Sequence, residues 1–408
     1  MDQHSLYLHV PFCRHRCSYC DFNTFAGQEK WIPEYGKAIC QEIESVAALA
    51  GQLLPAHTIF FGGGTPSLLP LDVLEKIFAA LRSSFSLQPG AEITLEANPG
   101  AVSLEYLQGL RRLGANRLSF GMQSAHPDDL RLLERQHDFF DVLQAVQWAR
   151  QAGFHNLSLD LIFGLPEQAL ARWRDTLERA IGIGVEHLSL YSLTIEHGTP
   201  LEKRYRRGLI PLPDDDLAAD MYEYAQERLE EAGYRQYEIS NFARSGPDGA
   251  LLSCRHNLQY WYNRPYLGFG AGAHGFAAGT RTMNVGGIRP FIARCNAAGA
   301  EQPAAARPFQ CGRVFPAGPA TRRTIAIDRH TEMQETMMVG LRLTLEGAPL
   351  HSFEQRFGVT LESVFPKEIE KLLKAGLLEY ASWQGAPCLR LTRRGRMLGN
   401  QVFMQFVG

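Results

Sequence analysis

Short apolar runs alternate with helical stretches through the first half of the 408-residue chain, and this alternation limits the fold more than any other feature. The runs lie at 6–10, 58–61, 92–96, 116–120, 156–162 and 187–192. Apolar residues recur at helical spacing in 34–49, 71–85 and 128–153, which lie between them. Strands that alternate with helices form parallel sheets. The sequence therefore predicts an α/β fold built as an incomplete (β/α)6 barrel.

Polar or glycine-rich residues end or follow each predicted strand. In chain order these stretches are PFCRHRCSYC (11–20), GGGTP (62–66), EANP (96–99), GMQS (121–124), FGLP (163–166) and YSLT (191–194). Asp160 lies within the fifth strand. Because barrels of this kind build their sites at the carboxyl-terminal rim of the strands, we expect these stretches to form one composite site.

The pattern changes in the second half of the chain, and we divide the sequence into three segments. Residues 1–235 form the predicted barrel, and residues 236–330 form a segment that is expected to cover it. This second segment contains the motif HNLQYW (256–261) and a low-complexity stretch, 293–322, which we interpret as a mobile loop. Residues 331–408 show three helices, two short strands and a helix, which predicts a small winged-helix-like α+β domain.

Composition excludes several classes of protein. A formal net charge of -2 argues against a dedicated nucleic-acid binder. No apolar run approaches the ~18 residues of a membrane span, and the N-terminus shows no secretory signal. We therefore expect a cytoplasmic protein, in whose reducing compartment clustered cysteines more often bind metal or perform chemistry than form disulfides.

Three cysteines are clustered within the first of these strand ends. Cys13, Cys17 and Cys20 are spaced C-x3-C-x2-C. Three thiolates at this spacing can hold a 4Fe–4S cluster and leave its fourth iron without a protein ligand. Zinc is the rival, although structural zinc sites use four ligands, usually as two separated pairs. Three inert thiols are the remaining alternative, and we rank the cluster first.

The other strand ends indicate what could bind beside such a cluster. The glycines of GGGTP would let backbone amides and carbonyls approach a small zwitterion without obstruction by a Cβ atom. Glu96 could accept hydrogen bonds from ribose hydroxyls, as acidic residues do in dinucleotide sites. Either signal alone is weak, because three glycines also form an ordinary tight turn.

The order of the motifs resembles the radical S-adenosylmethionine (SAM) superfamily, and within it the oxygen-independent coproporphyrinogen dehydrogenase-like group. The matching stretches are LYLHVPFCRHRCSYC, FFGGGTP, LEANP, LSFGMQS, LERQH and LDLIFGLP, and the resemblance spans most of the chain, including the tail domain. It implies a barrel in which the methionine part of SAM chelates the fourth iron. One-electron reduction then cleaves SAM to a 5′-deoxyadenosyl radical.

The resemblance also implies which residues contact SAM. Tyr7, Gly63 and Glu96 would contact the cluster-bound SAM. The neighbouring part of the cavity, where the dehydrogenase holds a second SAM, would be lined by Gly64, Thr65, Gln123, Arg135, Asp160 and Thr194. Tyr19, inside the cysteine loop, completes the set of candidates. Taken singly, Arg135 could instead form a helix ion pair and Asp160 could cap a buried strand.

Two features separate the chain from the dehydrogenase itself. That enzyme extends the motif to C-x3-C-x2-C-x-C, whereas this chain has Phe22 at the position of the extra cysteine. The motif HNLQYW is similar to the H-N-x-x-Y-W stretch of the HemW-type haem chaperones, where it is linked to haem binding. Both features favour a chaperone over an enzyme that acts on porphyrinogen.

The similarity to the chaperones implies haem as cargo. The candidate haem-binding residues are His256, Cys254, Asn257, Tyr260 and Trp261. Imidazole and thiolate are both common axial ligands of haem iron, and aromatic rings can pack on a porphyrin face. Without the resemblance, we would interpret HNLQYW as a folded loop with His256 hydrogen-bonded to the backbone. The family implies haem-acceptor proteins of the respiratory chain as partners, and leaves a homodimer and transient membrane association open.

The sequence is therefore compatible with three functions of different classes. The first is a haem chaperone with a 4Fe–4S cluster and SAM, and the second is a radical SAM oxidative decarboxylase of coproporphyrinogen III. The third is a zinc-dependent structural or regulatory protein. No catalytic residue is assigned, and the sequence leaves open whether the chain is an enzyme.

Overall fold

A computed structural model describes residues 3–300 and 314–407, with only the backbone of residues 299 and 300. The strands are β1 (His4–Val10), β2 (Phe12–Cys13), β3 (Phe25–Ala26), β4 (Leu54–Gly63), β5 (Phe85–Ala97), β6 (Arg117–Gln123), β7 (Leu157–Phe163), β8 (His187–Ser192), β9 (Arg235–Glu238), β10 (Asn241–Ala243), β11 (Tyr266–Phe269), β12 (His274–Ala277), β13 (Thr280–Asn284), β14 (Thr321–Ala326), β15 (Ala348–Pro349), β16 (Leu378–Trp383) and β17 (Ala386–Leu391). The helices are α1 (Ile32–Ala50), α2 (Leu71–Ser84), α3 (Leu104–Leu113), α4 (Pro127–Leu132), α5 (Phe139–Gln151), α6 (Leu170–Ile183), α7 (Pro200–Arg206), α8 (Asp215–Glu231), α9 (Arg255–Trp261), α10 (Ile288–Ala300), α11 (Arg329–Gly340), α12 (Leu350–Phe357), α13 (Leu361–Val364), α14 (Pro366–Lys374), α15 (Arg393–Met397) and α16 (Gly399–Phe403). Among the helices of the described ranges, none is long and apolar enough to cross a bilayer.

The chain forms two compact units, and both are discontinuous in sequence. The first comprises Met1–Ala225 and Pro265–Ala326, and the second comprises Gln226–Arg264 and Ile327–Gly408. This division differs from the three consecutive segments expected from the sequence, because residues 236–330 are shared between the units. Strand β11 lies beside β1 in the first unit, whereas Glu238 bridges to Leu343 in the second.

The sheet of the first unit contains the strands expected from the sequence. Within the described residues its order is β14-β13-β12-β11-β1-β4-β5-β6-β7-β8. Strands β1 and β4 to β8 are parallel neighbours in chain order, and the connections between them carry helices α1 to α6. The predicted α/β fold of alternating strands and helices is confirmed. The antiparallel strands β12 to β14 extend the sheet beyond β11.

Local capping explains where several helices begin and end. The Ser103 side chain accepts a hydrogen bond from the Tyr106 amide at the start of α3, and Gly114, with φ of 111°, ends that helix in a left-handed conformation. Asp138 and Asp141 form a reciprocal capping box at the start of α5. Such caps satisfy amides that lack a partner inside the helix. The caps therefore define where these helices begin and end, so that α3 is followed within a few residues by strand β6.

One face of the parallel sheet carries polar side chains. Alternate residues of a strand point to opposite faces, so Leu6 and Leu8 share one face of β1 while Ser5 and Tyr7 share the other. Ser5 Oγ lies 2.5 Å from Thr58 Oγ1 of β4 in a buried hydrogen bond. Arg117, only 2% exposed, begins β6. The polar face becomes the floor of the functional site.

The second unit has its own apolar core. Strands β15, β17 and β16 lie side by side, and residues of α11 to α14 and of α16 pack around them. Buried members of the core include Met337, Phe353, Phe365, Leu389 and Phe406. Helices precede a β-hairpin that is followed by further helix, in agreement with the winged-helix-like α+β order expected for the tail.

The described ends of the low-complexity stretch 293–322 differ from the mobile loop expected from its composition. Its first part belongs to α10, where Phe291, Ile292 and Cys295 are buried on one side of the helix. Its last residues begin β14. Residues 301–313, which include Cys311, lie outside the described residues. Burial of Phe291, Ile292 and Cys295 therefore stabilises a helix that continues into the small-residue stretch.

A buried carboxylate joins α1 to the end of the sheet. The Gly270 amide and the Asn284 side-chain amide each donate to a different oxygen of Glu42, both at 2.7 Å. On the same helix, the Tyr35 hydroxyl donates to the His9 carbonyl and accepts from the Ala271 amide, both at 2.8 Å. Burial raises the pKa of Glu42 to about 8, although these hydrogen bonds oppose the change.

The raised pKa of Glu42 predicts how stability changes with pH. Between about pH 4.5 and pH 8 the folded chain holds a proton that the unfolded chain releases, so this carboxyl lowers stability as the pH rises. Glu42→Gln removes that titration. We expect wild type to lose on the order of 5 kcal/mol of unfolding free energy relative to E42Q across this window, as measured by urea denaturation at a series of pH values.

The exposed Glu44 on the same helix gives the matched control, Glu44→Gln. Its unfolding free energy should follow that of wild type at each pH. Parallel curves for wild type and E42Q would contradict the assignment of the titration to Glu42.

Candidate functional site

A cavity of about 730 Å³ opens at the carboxyl ends of the parallel strands. It is lined by residues from five of the six stretches that the sequence singled out; the exception is FGLP (163–166), whose strand contributes Asp160 and Ile162 instead. The predicted site residues among them are Cys13, Cys17, Tyr19, Cys20, Gly63, Gly64, Thr65, Glu96, Gln123, Arg135, Asp160 and Thr194. The structure thus brings together positions separated by up to about 180 residues of sequence. Of the predicted SAM residues, Tyr7 alone does not line the cavity.

The cysteine loop is closed at its base by backbone pairing. Strand β2 pairs with β3, which places Cys13 opposite Ala26. Within the loop, the Cys20 amide donates to the Cys17 carbonyl at 3.3 Å, and the Arg16 guanidinium donates to the Cys20 carbonyl at 3.1 Å. The loop therefore has a defined conformation that turns its thiols toward the cavity.

Each of the three thiols has a hydrogen-bonding neighbour. Thr65 Oγ1 donates to Cys13 Sγ at 3.7 Å, and Arg135 Nη1 donates to Cys17 Sγ at 3.6 Å. Cys20 Sγ lies 3.9 Å from Thr24 Oγ1. Burial raises the pKa of the Cys13 and Cys20 thiols, and the hydrogen bonds from threonine partly offset this effect.

The chemistry of this donor set fits a cluster held by three thiolates. Thiolate is the soft ligand that iron–sulfur clusters use, and donors to sulfur stabilise its anionic form. Among the described residues, no group of three or more histidine, cysteine or acidic side chains is arranged to hold a single metal ion.

The glycine turn after β4 leaves no room for a side chain. A Cβ atom on Gly64 would lie 2.6 Å from the Phe12 carbonyl oxygen, 2.9 Å from that of Val10 and 3.0 Å from Cys13 Sγ. Gly63 has φ of 113°, and its amide donates to Glu96 Oε2 at 3.1 Å. Glycine at 64 lets the turn pack directly against the first cluster cysteine.

Two partly buried carboxyl groups, Glu96 and Asp160, form the polar floor of the cavity. Burial raises the pKa of Glu96 to about 8, and repulsion from Asp160 adds to the effect. Burial also raises the pKa of Asp160, while hydrogen bonds from Ser189 and Ser119 and the charge of Arg117 lower it. These carboxyl groups can accept hydrogen bonds from hydroxyl or ammonium groups of a ligand.

A backbone irregularity turns Gln123 toward the cavity. Its φ is 64°, and the register between β6 and β7 shifts between Gly121 and Gln123. A non-glycine residue in this left-handed region is uncommon. Such bulges re-aim side chains near functional sites, and Gln123 lines the cavity as a result.

The residues that hold the end of the cysteine loop by hydrogen bonds were not identified from the sequence. His9 Nε2 donates to the Asn23 carbonyl at 2.9 Å, which leaves Nδ1 to accept from the Tyr7 hydroxyl at 3.0 Å. Asn23 donates to the carbonyls of Ala271 and Gly286. Thr24 and Ser119 were also missed. The alternation of β1, which puts His9 on the face of Tyr7, is the signal that could have found His9.

The candidate haem residues lie in the second unit and do not line the cavity. His256 is 1% exposed on α9, and its Nε2 lies 2.9 Å from the Tyr260 hydroxyl. Cys254 is also buried, and its amide donates to the Tyr237 hydroxyl at 3.2 Å. The Arg342 guanidinium stacks on Trp261 at 4.4 Å, while Asn257 is half-buried. Metal ligation by His256 Nε2 would require loss of its hydrogen bond with Tyr260.

Comparison with known proteins agrees with this site. Residues 7–180 match the Radical SAM superfamily, and residues 327–398 match the HemN C-terminal domain. A protein of Bacillus subtilis named Heme chaperone HemW is 37% identical over 99% of both chains. The chain belongs to the HemW family. A Mycobacterium tuberculosis HemW is 36% identical over 99% of this chain and 94% of its own.

Solved structures confirm the fold of this HemW-family chain. The Escherichia coli coproporphyrinogen III oxidase HemN, described as a radical SAM enzyme, superimposes with a TM-score of 0.80 over 99% of this chain and 90% of its own. Their sequence identity is 23%, so the likeness shows the fold alone. Membership of the radical SAM superfamily assigns a 4Fe–4S cluster and SAM as the cofactors.

The contacts of Gly64 predict that Gly64→Ala impairs the site. The added methyl group meets backbone oxygens that cannot move freely, so we expect a loss of about 1–3 kcal/mol of unfolding free energy. We also expect lower iron content after anaerobic reconstitution, because Cys13 must shift.

Gly182, on α6, provides the control, since a Cβ atom there meets nothing within 4 Å. G182A should bind as much iron as wild type. Full iron loading of G64A, with unchanged stability, would show that the turn is not tightly packed against the cysteine loop.

Proposed function

We propose that this protein is a haem chaperone that carries a 4Fe–4S cluster with SAM and delivers haem to acceptor proteins of the respiratory chain. The observation that carries the proposal is the 37% identity, over 99% of both chains, to a protein named Heme chaperone HemW. Phe22 supports it, because it occupies the position of the extra cysteine and stands 63% exposed at the cavity rim.

The proposed cofactor site uses the three cysteines and the surrounding strand ends. Cys13, Cys17 and Cys20 would hold the cluster, and Tyr7, Gly63 and Glu96 would contact the SAM bound to it. A reduced cluster of this kind supplies the electron that cleaves SAM. The partly buried Glu96 would accept hydrogen bonds from SAM, while the amide of Gly63 keeps its carboxyl group in place.

The remaining candidates would line the adjacent part of the same cavity. They are Tyr19, Gly64, Thr65, Gln123, Arg135, Asp160 and Thr194. Their donors and carboxylates suit a second polar ligand or the far end of the first. Burial raises the pKa of Tyr19, so this side chain stays a neutral hydroxyl that can donate.

The proposed haem site centres on His256. Its imidazole is already oriented by Tyr260, with the two rings edge to face and their centroids 5.1 Å apart. Release of that hydrogen bond would expose a nitrogen to haem iron, for which imidazole is a common ligand. Cys254, Asn257 and Trp261 would complete the surroundings. The proposal extends to a cytoplasmic location, a homodimer and transient contact with a membrane during transfer.

Cysteine substitutions test the cluster assignment. Cys17→Ala removes one of three thiolates, and we expect it to retain far less iron and sulfide than wild type after anaerobic reconstitution. Cys40 is half-buried like Cys17 but lies on α1, so Cys40→Ala is a matched control that should load fully. Zinc in place of iron in the wild-type protein, or full loading of C17A, would contradict the assignment.

Haem titration tests the cargo and its ligand. We expect His256→Ala to bind haem at least about tenfold more weakly than wild type, because the iron loses an axial ligand. The measurement is the shift of the Soret band as haem is added to reconstituted protein. His330→Ala, which removes an exposed histidine of the same unit, should bind as wild type does.

Two outcomes would count against the proposal. A loss of haem affinity in Cys254→Ala, with none in H256A, would assign the ligand to the thiolate. Conversion of coproporphyrinogen III by the wild-type sample, with SAM and a reductant, would favour the decarboxylase and overturn the chaperone function.

A further inference from the structure

Residues 132–135, which we call the clamp, contact the cysteine loop at several points. The Ser18 amide donates to the Leu133 carbonyl at 3.3 Å, and the Ser18 hydroxyl donates to the Leu132 carbonyl at 2.9 Å. His15 Nε2 lies 3.3 Å from a carboxylate oxygen of Glu134. The clamp, which includes Arg135, therefore contacts the loop beside the second cluster cysteine through both its backbone and its side chains.

The Arg135 guanidinium is held in one orientation. Its Nη2 donates to the Gly121 carbonyl at 2.8 Å, and its Nη1 donates to Cys17 Sγ at 3.6 Å. The Arg135 amide donates to the Leu130 carbonyl at 2.8 Å, which fixes the backbone at the end of α4. Because one arm of the planar group is anchored on β6, the other arm stays directed at the sulfur.

The backbone just before Arg135 supports this placement. Glu134 has φ of 57°, a left-handed conformation that non-glycine residues seldom adopt. Such conformations persist only where surrounding contacts maintain them. Here those contacts are the ones between the clamp and the cysteine loop, so the geometry that aims Arg135 is itself fixed by the loop.

The three cluster thiols differ in the group that donates to their sulfur. Cys13 Sγ and Cys20 Sγ each lie beside a neutral threonine hydroxyl, whereas Cys17 Sγ receives a hydrogen bond from a cation. The Arg16 guanidinium near Cys20 donates to its carbonyl oxygen and not to its sulfur. A donor to a cluster sulfur, and a positive charge beside it, both stabilise the more negative reduced state. Each effect raises the reduction potential.

We propose that Arg135 sets the reduction potential of the cluster by donating a charged hydrogen bond to the thiolate of Cys17. The step it controls is the addition of one electron, from a low-potential reductant, to the oxidised cluster. No bond to the protein breaks and no proton moves. The inference rests on the cluster assigned to the cysteines under the proposed function, and not on haem binding.

The test is a potentiometric titration of the reconstituted protein without SAM, followed by the electron paramagnetic resonance signal of the reduced cluster. We expect Arg135→Gln to shift the midpoint potential to a more negative value. Arg131→Gln is the control, since it removes the same charge from an exposed side chain on α4. R131Q should titrate as wild type does.

Three results would overturn the proposal. They are a midpoint of R135Q equal to that of wild type, a more positive midpoint, or an equal shift in R131Q. If R135Q fails to load a cluster, Arg135→Lys keeps the charge but loses the two-armed group. Its midpoint should then lie below that of wild type, and an unchanged value would overturn the proposal. If wild type fails to bind haem but the cluster midpoints of wild type, R135Q and R131Q behave as expected, only the chaperone function is contradicted.

Discussion

The pairing of β1 with β4 is the constraint on which the site depends. It places Val10 opposite Gly63, and the ladder continues beyond the strands, where the Gly64 amide donates to the Val10 carbonyl and the Thr65 amide to the Phe12 carbonyl, both at 2.8 Å. The cysteine loop and the glycine turn are therefore joined by backbone hydrogen bonds before any cofactor contributes. A shift of one residue would turn each side chain of β1 to the other face of the sheet.

Two carboxyl groups and one cation influence one another in the parallel sheet. The charge of the buried Arg117 lowers the pKa of both Glu96 and Asp160 and so opposes the effect of burial. Such burial is costly unless charges are compensated, and the serine hydroxyls of β6 and β8 share that compensation. In the first unit, one face of the parallel sheet thus carries polar and charged side chains, and the other face packs its apolar side chains against the helices.

The sequence allowed the parallel strands and their functional ends to be predicted because both are local signals. Each strand and helix is specified by residues that lie within a few tens of positions of one another, and Cys13 to Cys20 lie in one stretch. The support of the loop by His9 and Asn23 was not predictable in this way, because Asn23 bonds to residues about 250 positions away. The left-handed backbone at Gln123 and Glu134 also has no composition signal, since neither is glycine.

The discontinuity of the second unit has a consequence for the order in which the chain can fold. Ile239 packs on a core whose other members lie between residues 333 and 406. During synthesis, residues 226–264 leave the ribosome well before those partners exist, while strands β1 to β8 have already emerged. The HNLQYW stretch is therefore among the last parts of the chain to acquire its native surroundings, and a truncated or stalled chain would present it unprotected.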